Sequence, residues 1–278
     1  MYVNNLNNIL FHIGSLEVRY YGLAYALGFL LAWLLFKWVA KKNLIDNFSS
    51  SDADALILYS MLGIILGARF FFLLFLDPST YVRNPVEFFY FWQGGMSFHG
   101  GLIGGIIAIY IFCKVKAKGP KAAAKKSVTK KMLQLFDVFV IAGALALFLG
   151  RLANFLNQEL YGRVTDVAWC VVFPAVDALC RHPSQLYDAL THLITFFVLV
   201  WLYWSVHIRK AVWAEKFQNK PGFVFWCFVF LYGWLRFITN FWRDDAILIW
   251  GLSGGQILCV VMIIVGAAYL SKYLKKHS

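Results

Sequence analysis

The sequence predicts an all-α, polytopic membrane protein with seven transmembrane helices, its N-terminus outside and its C-terminus cytoplasmic. Three observations lead there. Ala, Val, Ile, Leu, Met, Phe, Trp, Tyr and Cys make up 61% of the 278 residues, and the 21 glycines raise this to about 69%. Soluble domains counted that way reach about 45–50%. The apolar residues also gather in seven runs of about 20, the length that crosses a hydrocarbon core as a helix. Finally, the lysines are segregated among the connections in a way that an even number of spans would destroy. A soluble fold could not bury this much apolar surface, and disordered, nucleic-acid-binding and small disulfide-scaffold classes are excluded with it. The net charge of +12 therefore speaks about topology rather than about a nucleic-acid partner.

The spans follow in order. The first, 20–40, is too long for a removable signal peptide and shows no small-residue cleavage site; Lys37, Lys41 and Lys42 close it. The second covers 53–76. The third, 98–115, is short and glycine-rich, and leads into KAKGPKAAAKKSVTKK at 116–131, a solvated basic loop suited to anionic headgroups. The fourth, 132–150, is interrupted at its far end by Arg151. The fifth and sixth, 185–206 and 222–242, enclose Arg209, Lys210, Lys216 and Lys220, and the seventh, 254–274, ends in Lys272, Lys275 and Lys276. With seven spans, all 17 lysines and Arg209 fall on one face, which the positive-inside rule makes cytoplasmic. The N-terminus, 77–97, 151–184 and 243–253 then face outward. The chain reads as a single transmembrane domain, 1–278. Segment 151–184, long for a helical-bundle loop and low in charge, reads as a small outer cap between spans four and five. No internal repeat of the transporter kind is present.

Eight cations remain: Arg19, Arg69, Arg83, Arg151, Arg163, Arg181, Arg236 and Arg243. All are arginines, and all lie on the outer side or in the outer halves of spans. A guanidinium is planar, permanently charged and able to grip a phosphate with two parallel hydrogen bonds. Within a span it is costly unless it has a task or a partner. Several of them converging from different helices describe an outward-facing anion site, with a phospholipid phosphate the obvious ligand. Arg19, Arg83 and Arg163 fit simple anchoring at the headgroups, and Arg69 fits either reading.

Three motifs give the remaining arginines company. In GRLANFLNQELYG (150–162), Arg151, Asn154, Asn157, Gln158 and Glu159 cluster straight after an apolar run. Arg151 and Asn154 share a helix face, and Glu159 is a candidate acceptor for the arginine. In GGMSFHGGLIGG (94–105), His99 sits among glycines. Those glycines serve either a close substrate approach or close helix packing. The histidine is either a helix-end hydrogen-bonder or a proton acceptor near neutral pH. In LYGWLRFITNFWR, Tyr232, Arg236, Asn240 and Arg243 fall at offsets 0, 4, 8 and 11, one helical stripe that should face the bundle interior.

With these motifs and YYGLAY (20–25), RHPSQLYD (181–188), YGWLRF and GGQIL, in that chain order, the sequence resembles the prolipoprotein diacylglyceryl transferases of bacterial inner membranes. The resemblance covers almost the whole chain. It implies transfer of the sn-1,2-diacylglyceryl group from phosphatidylglycerol to the lipobox cysteine thiol of a prolipoprotein. The products are a thioether and glycerol phosphate, and the reaction is the first step of lipoprotein maturation, upstream of signal peptidase II. It implies a multi-pass protein of the inner membrane with its site toward the periplasm, and no metal or organic cofactor. By position, Arg151 and Arg236 match the family's essential arginines, and His99 matches its histidine. Tyr21, Asn154, Glu159, Gly162 and Tyr232 match other invariant positions, with Arg243 added as a substrate-binding candidate. Asp137 matches a family aspartate; its plain alternative is a helix N-terminal charge. Two residues depart from the family pattern. An acidic residue is expected where Asn240 stands and a glutamate where Asp188 stands, so one arginine is expected to lean on Glu159 or Asp244 instead.

These residues suit that chemistry. A thiol with pKa near 8.5 is mostly protonated at neutral pH, so displacement at the glyceryl carbon needs a proton acceptor; His99 is the candidate. The leaving phosphate gains charge as the C–O bond breaks, and arginines aimed at it hold it more tightly in the transition state. Tyr21, Asn154 and Tyr232 would orient oxygens of the lipid. Cys113, Cys227 and Cys259 lie in spans and read as packing residues. Cys170 and Cys180 share the outer segment, where the sequence leaves a disulfide open. A transporter of anionic lipid would also need outward arginines, but it favours repeat symmetry or polar positions running through the membrane. A purely structural scaffold leaves the Arg236 stripe unexplained.

Overall fold

The computed structural model describes residues 2–6, 9–13, 16–75, 77–90, 95–117 and 121–274, with backbone alone at 12–13, 16–19, 80–82 and 121–126. Gly94, Lys118, Lys275 and Lys276 lie outside the described residues, as do the side chains of Arg19, Lys121, Lys125 and Lys126. The chain runs through β1 (Tyr2–Val3), β2 (Ile9–Ile13), β3 (Leu16–Arg19), α1 (Tyr20–Lys41), α2 (Ser50–Phe75), the short α3 (Pro78–Arg83), α4 (Phe98–Lys116) and α5 (Lys121–Leu156). It continues through β4 (Val171–Val172), β5 (Cys180–Arg181), α6 (Ser184–Tyr203), α7 (Phe223–Thr239), β6 (Ile247–Ile249), β7 (Leu252–Ser253) and α8 (Gly254–Leu274). Seven of the helices, all but α3, are long and apolar enough to cross a membrane, and the chain is a multi-pass membrane protein.

The spans match the apolar runs closely except at the fourth. Arg151 does not interrupt α5, which continues to Leu156. Arginine is a good helix former, and here its charge is met by partners described below, so the helix has no reason to stop. It stops instead where Gln158 and Leu160 adopt φ values of 58° and 55°, which the helical backbone cannot accommodate.

The helices divide into two compact units, residues 33–135 on one hand and 1–32 with 136–278 on the other. In the first, α2 and α4 pack through small residues. A Cβ on Gly67 would lie 2.5 Å from the Gly100 carbonyl oxygen, and one on Gly63 would lie 2.6 Å from that of Gly104. Gly100 and Gly104 of the GGMSFHGGLIGG motif are thus spent on backbone-to-backbone packing. Ser97 caps α4, accepting from Gly100 N at 3.4 Å. Arg69 is buried and donates to the Gly95 and Glu87 carbonyls at 3.2 and 2.5 Å, which ties down the connection between α2 and α4.

In the second unit α6, α7 and α8 pack in sequence, with Gly233 and Gly266 giving α7 and α8 their close approach. Asp137, buried in α5, accepts from Gly222 N at 2.7 Å and Phe225 N at 2.8 Å. It therefore caps α7, satisfying amides that a helix start leaves free; the macrodipole it serves is that of α7, not of its own helix. The connection between α5 and α6 is held by a small sheet of order β1-β4-β5, in which β1 runs parallel to β4 and β5 antiparallel. Cys170 and Cys180 are joined in a disulfide across β4 and β5. Asn4, fully buried, donates to Phe155 O at 2.7 Å and so fastens the N-terminal strand to the end of α5.

Candidate functional site

The site is built where α5 and α7 finish and α6 begins. Three turns of three helices each contribute one charged side chain there, and the chain distances are large, which is why the cluster is invisible to local reading. Asp188, in the second turn of α6, is 2% exposed. Its Oδ2 meets the Arg151 Nε of α5 at 3.4 Å and forms a close ion pair with Arg236 Nη1 of α7. Its Oδ1 accepts from the Thr239 hydroxyl at 2.6 Å. Two guanidinium groups thus share one buried carboxylate. The trio keeps one positive charge in surroundings of low polarity, where an unbalanced charge is expensive and an arriving anion is correspondingly favoured. A carboxylate that also fixes both arginines leaves them pre-oriented rather than free to reorganise around a ligand.

Beside the trio lies a second, neutral-to-anionic group. Arg151 Nη1 donates to Asn154 Oδ1 at 3.2 Å, so the helix face predicted for those two residues is realised. The Asn154 amide donates in turn to Tyr21 OH and to Glu159 Oε2, and Tyr21 OH donates to Glu159 Oε2 at 3.1 Å. Asn157 adds a bond to Glu159 Oε1 at 3.3 Å. Tyr21, Asn154 and Glu159, predicted from three motif positions, therefore meet as one network with Arg151 at its edge. The expectation that Glu159 compensates an arginine is corrected: Glu159 lies beyond the helix end and is exposed. Its oxygens are taken by Tyr21 and the two asparagines.

The other expected arginine partner, Asp244, is corrected as well. It binds Arg181 at 3.0 Å, while Arg243 pairs with Asp245 at 3.0 Å and Arg236 with Asp188. Arg243 also leaves the predicted stripe. The α-helix ends at Thr239, a 3-10 turn follows, and Arg243 is extended, so the offset of 11 no longer measures a helix face. Burial, and then the nearby Arg236, lower the Arg243 pKa from its ordinary value, though a guanidinium stays charged at any physiological pH. Asn240 keeps the helical direction but bonds Ser253 Oγ of β7 instead of joining the arginines.

A family model described as Prolipoprotein diacylglyceryl transferase matches residues 8–272. The chain belongs to the prolipoprotein diacylglyceryl transferase family. Several relatives carry the name phosphatidylglycerol–prolipoprotein diacylglyceryl transferase. One from Legionella pneumophila (strain Paris) is 38% identical over 269 residues, which covers 94% of this chain and 95% of the relative. One from Oleidesulfovibrio alaskensis is 37% identical over 274 residues, covering 97% and 94%. One from Bordetella parapertussis is 37% identical over 267 residues, covering 94% and 93%.

Within this member of the diacylglyceryl transferase family, the remaining candidate positions take distinct places. Gly162 is a packing point: a Cβ there would lie 2.5 Å from His182 O and 2.6 Å from Trp242 O, so no other residue lets these three segments meet. Arg181 secures the same junction by binding Asp177 at 2.6 Å and stacking over Tyr161 at 4.9 Å. Its bonds hold the Asp177 carboxyl below the usual carboxylate range. Tyr232 stands one turn before Arg236 and stacks flat on His192, 5.5 Å between ring centres at an interplanar angle of 4°. His99 belongs to the other unit, where it is exposed and lies edge-on to Phe98 at 5.7 Å. Sequence reasoning missed Asp188 as the hub, and missed Thr239 and His192 altogether. An acid and a histidine four apart inside an apolar span were the available signal; for Thr239 there was none.

Proposed function

We propose that this protein transfers the diacylglyceryl group of phosphatidylglycerol to the lipobox cysteine of prolipoproteins, the first step of lipoprotein maturation and the one before signal peptidase II acts. The observation that carries the reading at the site is the sharing of one buried carboxylate by Arg151 and Arg236, which leaves the pair one negative charge short. The phosphate of the lipid supplies that charge. As the cysteine thiolate attacks the glyceryl carbon, a C–S bond forms, the C–O bond to phosphate breaks, and the electron pair leaves with glycerol phosphate. Donors already fixed on that oxygen favour the more charged transition state over the bound substrate.

Tyr21, Asn154 and Glu159 present hydroxyl, amide and carboxylate groups to the polar part of the lipid, with Tyr232 and Arg243 as further binding groups and Gly162 holding the adjoining segments together. His99, which matches the family's histidine by position, is assigned the thiol proton on the chemistry of imidazole, directly or through water. Segment 151–184, whose residues 157–183 connect α5 to α6, serves as the cap that receives the prolipoprotein. The protein resides in the bacterial inner membrane with this site toward the periplasm, an orientation supported by the confinement of all 17 lysines to the opposite face.

The test is to incubate the purified protein in phosphatidylglycerol vesicles with a lipobox peptide. Glycerol phosphate should appear in the aqueous phase together with a diacylglyceryl mass addition on the peptide cysteine, and both should vanish with Arg151→Ala. Redistribution of lipid between leaflets with neither product would instead identify a lipid transporter.

A further inference from the structure

The polar side chains of α6 mostly satisfy themselves. Thr191 and Thr195 turn their hydroxyls back onto the Asp188 and Thr191 carbonyls at 2.8 and 2.7 Å, and Asp188 is saturated by two arginines and a threonine. Two side chains behave differently: Gln185 Oε1 and His192 Nε2 are each buried without a partner among the described residues, and of the two it is His192 that stacks on a residue of α7. His192 is 2% exposed, yet its buried Nε2 has no hydrogen-bond partner among the described residues. Leaving such a group unpaired is costly, and native proteins carry few of them. The ring is not loose, since Tyr232 stacks parallel to it. It also stands in the field of Asp188, Arg151 and Arg236, so it belongs to the site and not to an unrelated part of the core.

Depth identifies what completes it. His192 follows Asp188 by four residues on α6, and Tyr232 precedes Arg236 by four on α7, which runs the opposite way. At about 1.5 Å per residue the stacked pair lies roughly one helical turn, about 6 Å, nearer the middle of the helices than the arginine–carboxylate trio. A phospholipid held by its phosphate at the trio extends its glyceryl esters in that direction, because its acyl chains must continue toward the apolar part of the span. Resting on the function proposed above, we infer that His192 is a lipid-binding residue whose Nε2–H donates to an acyl-ester carbonyl of the bound phosphatidylglycerol. Its role is to hold the lipid in register, so that the carbon to be attacked stays fixed relative to the phosphate grip.

The experiment compares ester-linked phosphatidylglycerol with its dialkyl ether analogue, which keeps the phosphate and glycerol but has no ester carbonyl, in mixed micelles with a lipobox peptide. The wild-type protein should show a KM for the ether lipid about tenfold higher, the size of one lost hydrogen bond, with kcat within about twofold. His192→Phe, which keeps a flat ring against Tyr232, should have that higher KM for both lipids and no longer distinguish them, at pH 6.5 and pH 8.5 alike. His192→Gln, which retains an N–H donor, should recover part of the discrimination. Equal wild-type KM values for the two lipids would overturn the assignment without any variant, and so would undiminished discrimination by His192→Phe. A loss confined to kcat and restored at high pH would overturn it too, by making the ring a proton acceptor. Absence of glycerol phosphate from either lipid with the wild-type protein would instead sink the transferase reading on which the assignment rests, whereas turnover with equal KM sinks only the role of His192.

Discussion

The Asp188 carboxylate accepts the Thr239 hydroxyl at 2.6 Å across the α6–α7 packing, which assigns one oxygen to a neutral donor and leaves the other to the two arginines. This division fixes the plane of the carboxylate. Thr239→Val removes the neutral donor with little change in shape. It should cost about 1 kcal/mol of stability and lower kcat severalfold through misplaced arginines, read from thermal unfolding in detergent and from initial rates.

Removing the carboxylate itself is harsher. Asp188→Asn leaves the buried Arg236 and the partly buried Arg151 without a counter-charge, and breaking a buried pair typically costs about 3–5 kcal/mol. Unfolding should shift accordingly, and phosphatidylglycerol should restore part of the loss by supplying an anion. Asp188→Glu, which keeps the charge at one methylene greater reach, should fold and retain measurable turnover.

Arg236→Lys keeps a charge but not the planar fork that serves Asp188 and phosphate at once. Turnover should fall by a factor on the order of 10² while the protein still assembles in the membrane. Turnover at the wild-type rate would rule out bidentate phosphate binding by this residue.

Much of this was legible in advance, and the exceptions share a cause. Seven apolar runs gave seven helices because span length is imposed by the bilayer and needs no tertiary knowledge. Tyr21, Asn154 and Glu159 were found from motif positions and do meet. What sequence could not supply was pairing across helices: Asp188 lies 37 residues from Arg151 and 48 from Arg236, and its place in an apolar span marks it as special without naming its partners. Arg243 was misplaced for a different reason. Helical offsets were carried past Thr239, where the α-helix gives way to a 3-10 turn and extended backbone.

The α2–α4 packing makes a mechanical prediction. Gly67→Ala inserts a methyl group 2.5 Å from a backbone oxygen, which no rotamer change relieves. Separation of the two helices should cost about 1–3 kcal/mol, seen as a lower unfolding midpoint, whereas Gly22→Ala, which meets nothing within 4 Å, should leave the midpoint unchanged.

Acid should loosen the junction that follows β5. Burial holds the His182 imidazole below its ordinary pKa, so the unfolded chain takes up this proton first. The contribution of His182 is complete above about pH 6.5 and is lost as pH falls through the lowered folded-state value. Between pH 8 and pH 5 the wild-type unfolding midpoint should therefore drop further than that of His182→Gln.

The cap on α7 bears on how the chain is made. Asp137 meets the Gly222 amide across 85 residues of chain, so a ribosome that has just delivered α5 has not yet synthesised the group that satisfies its acid. A lone carboxylate is poorly tolerated in lipid, so α5 on its own carries a cost that the α7 amides remove. A nascent chain arrested before Gly222 should therefore hold α5 in the membrane less firmly than the finished protein does, read as its extractability.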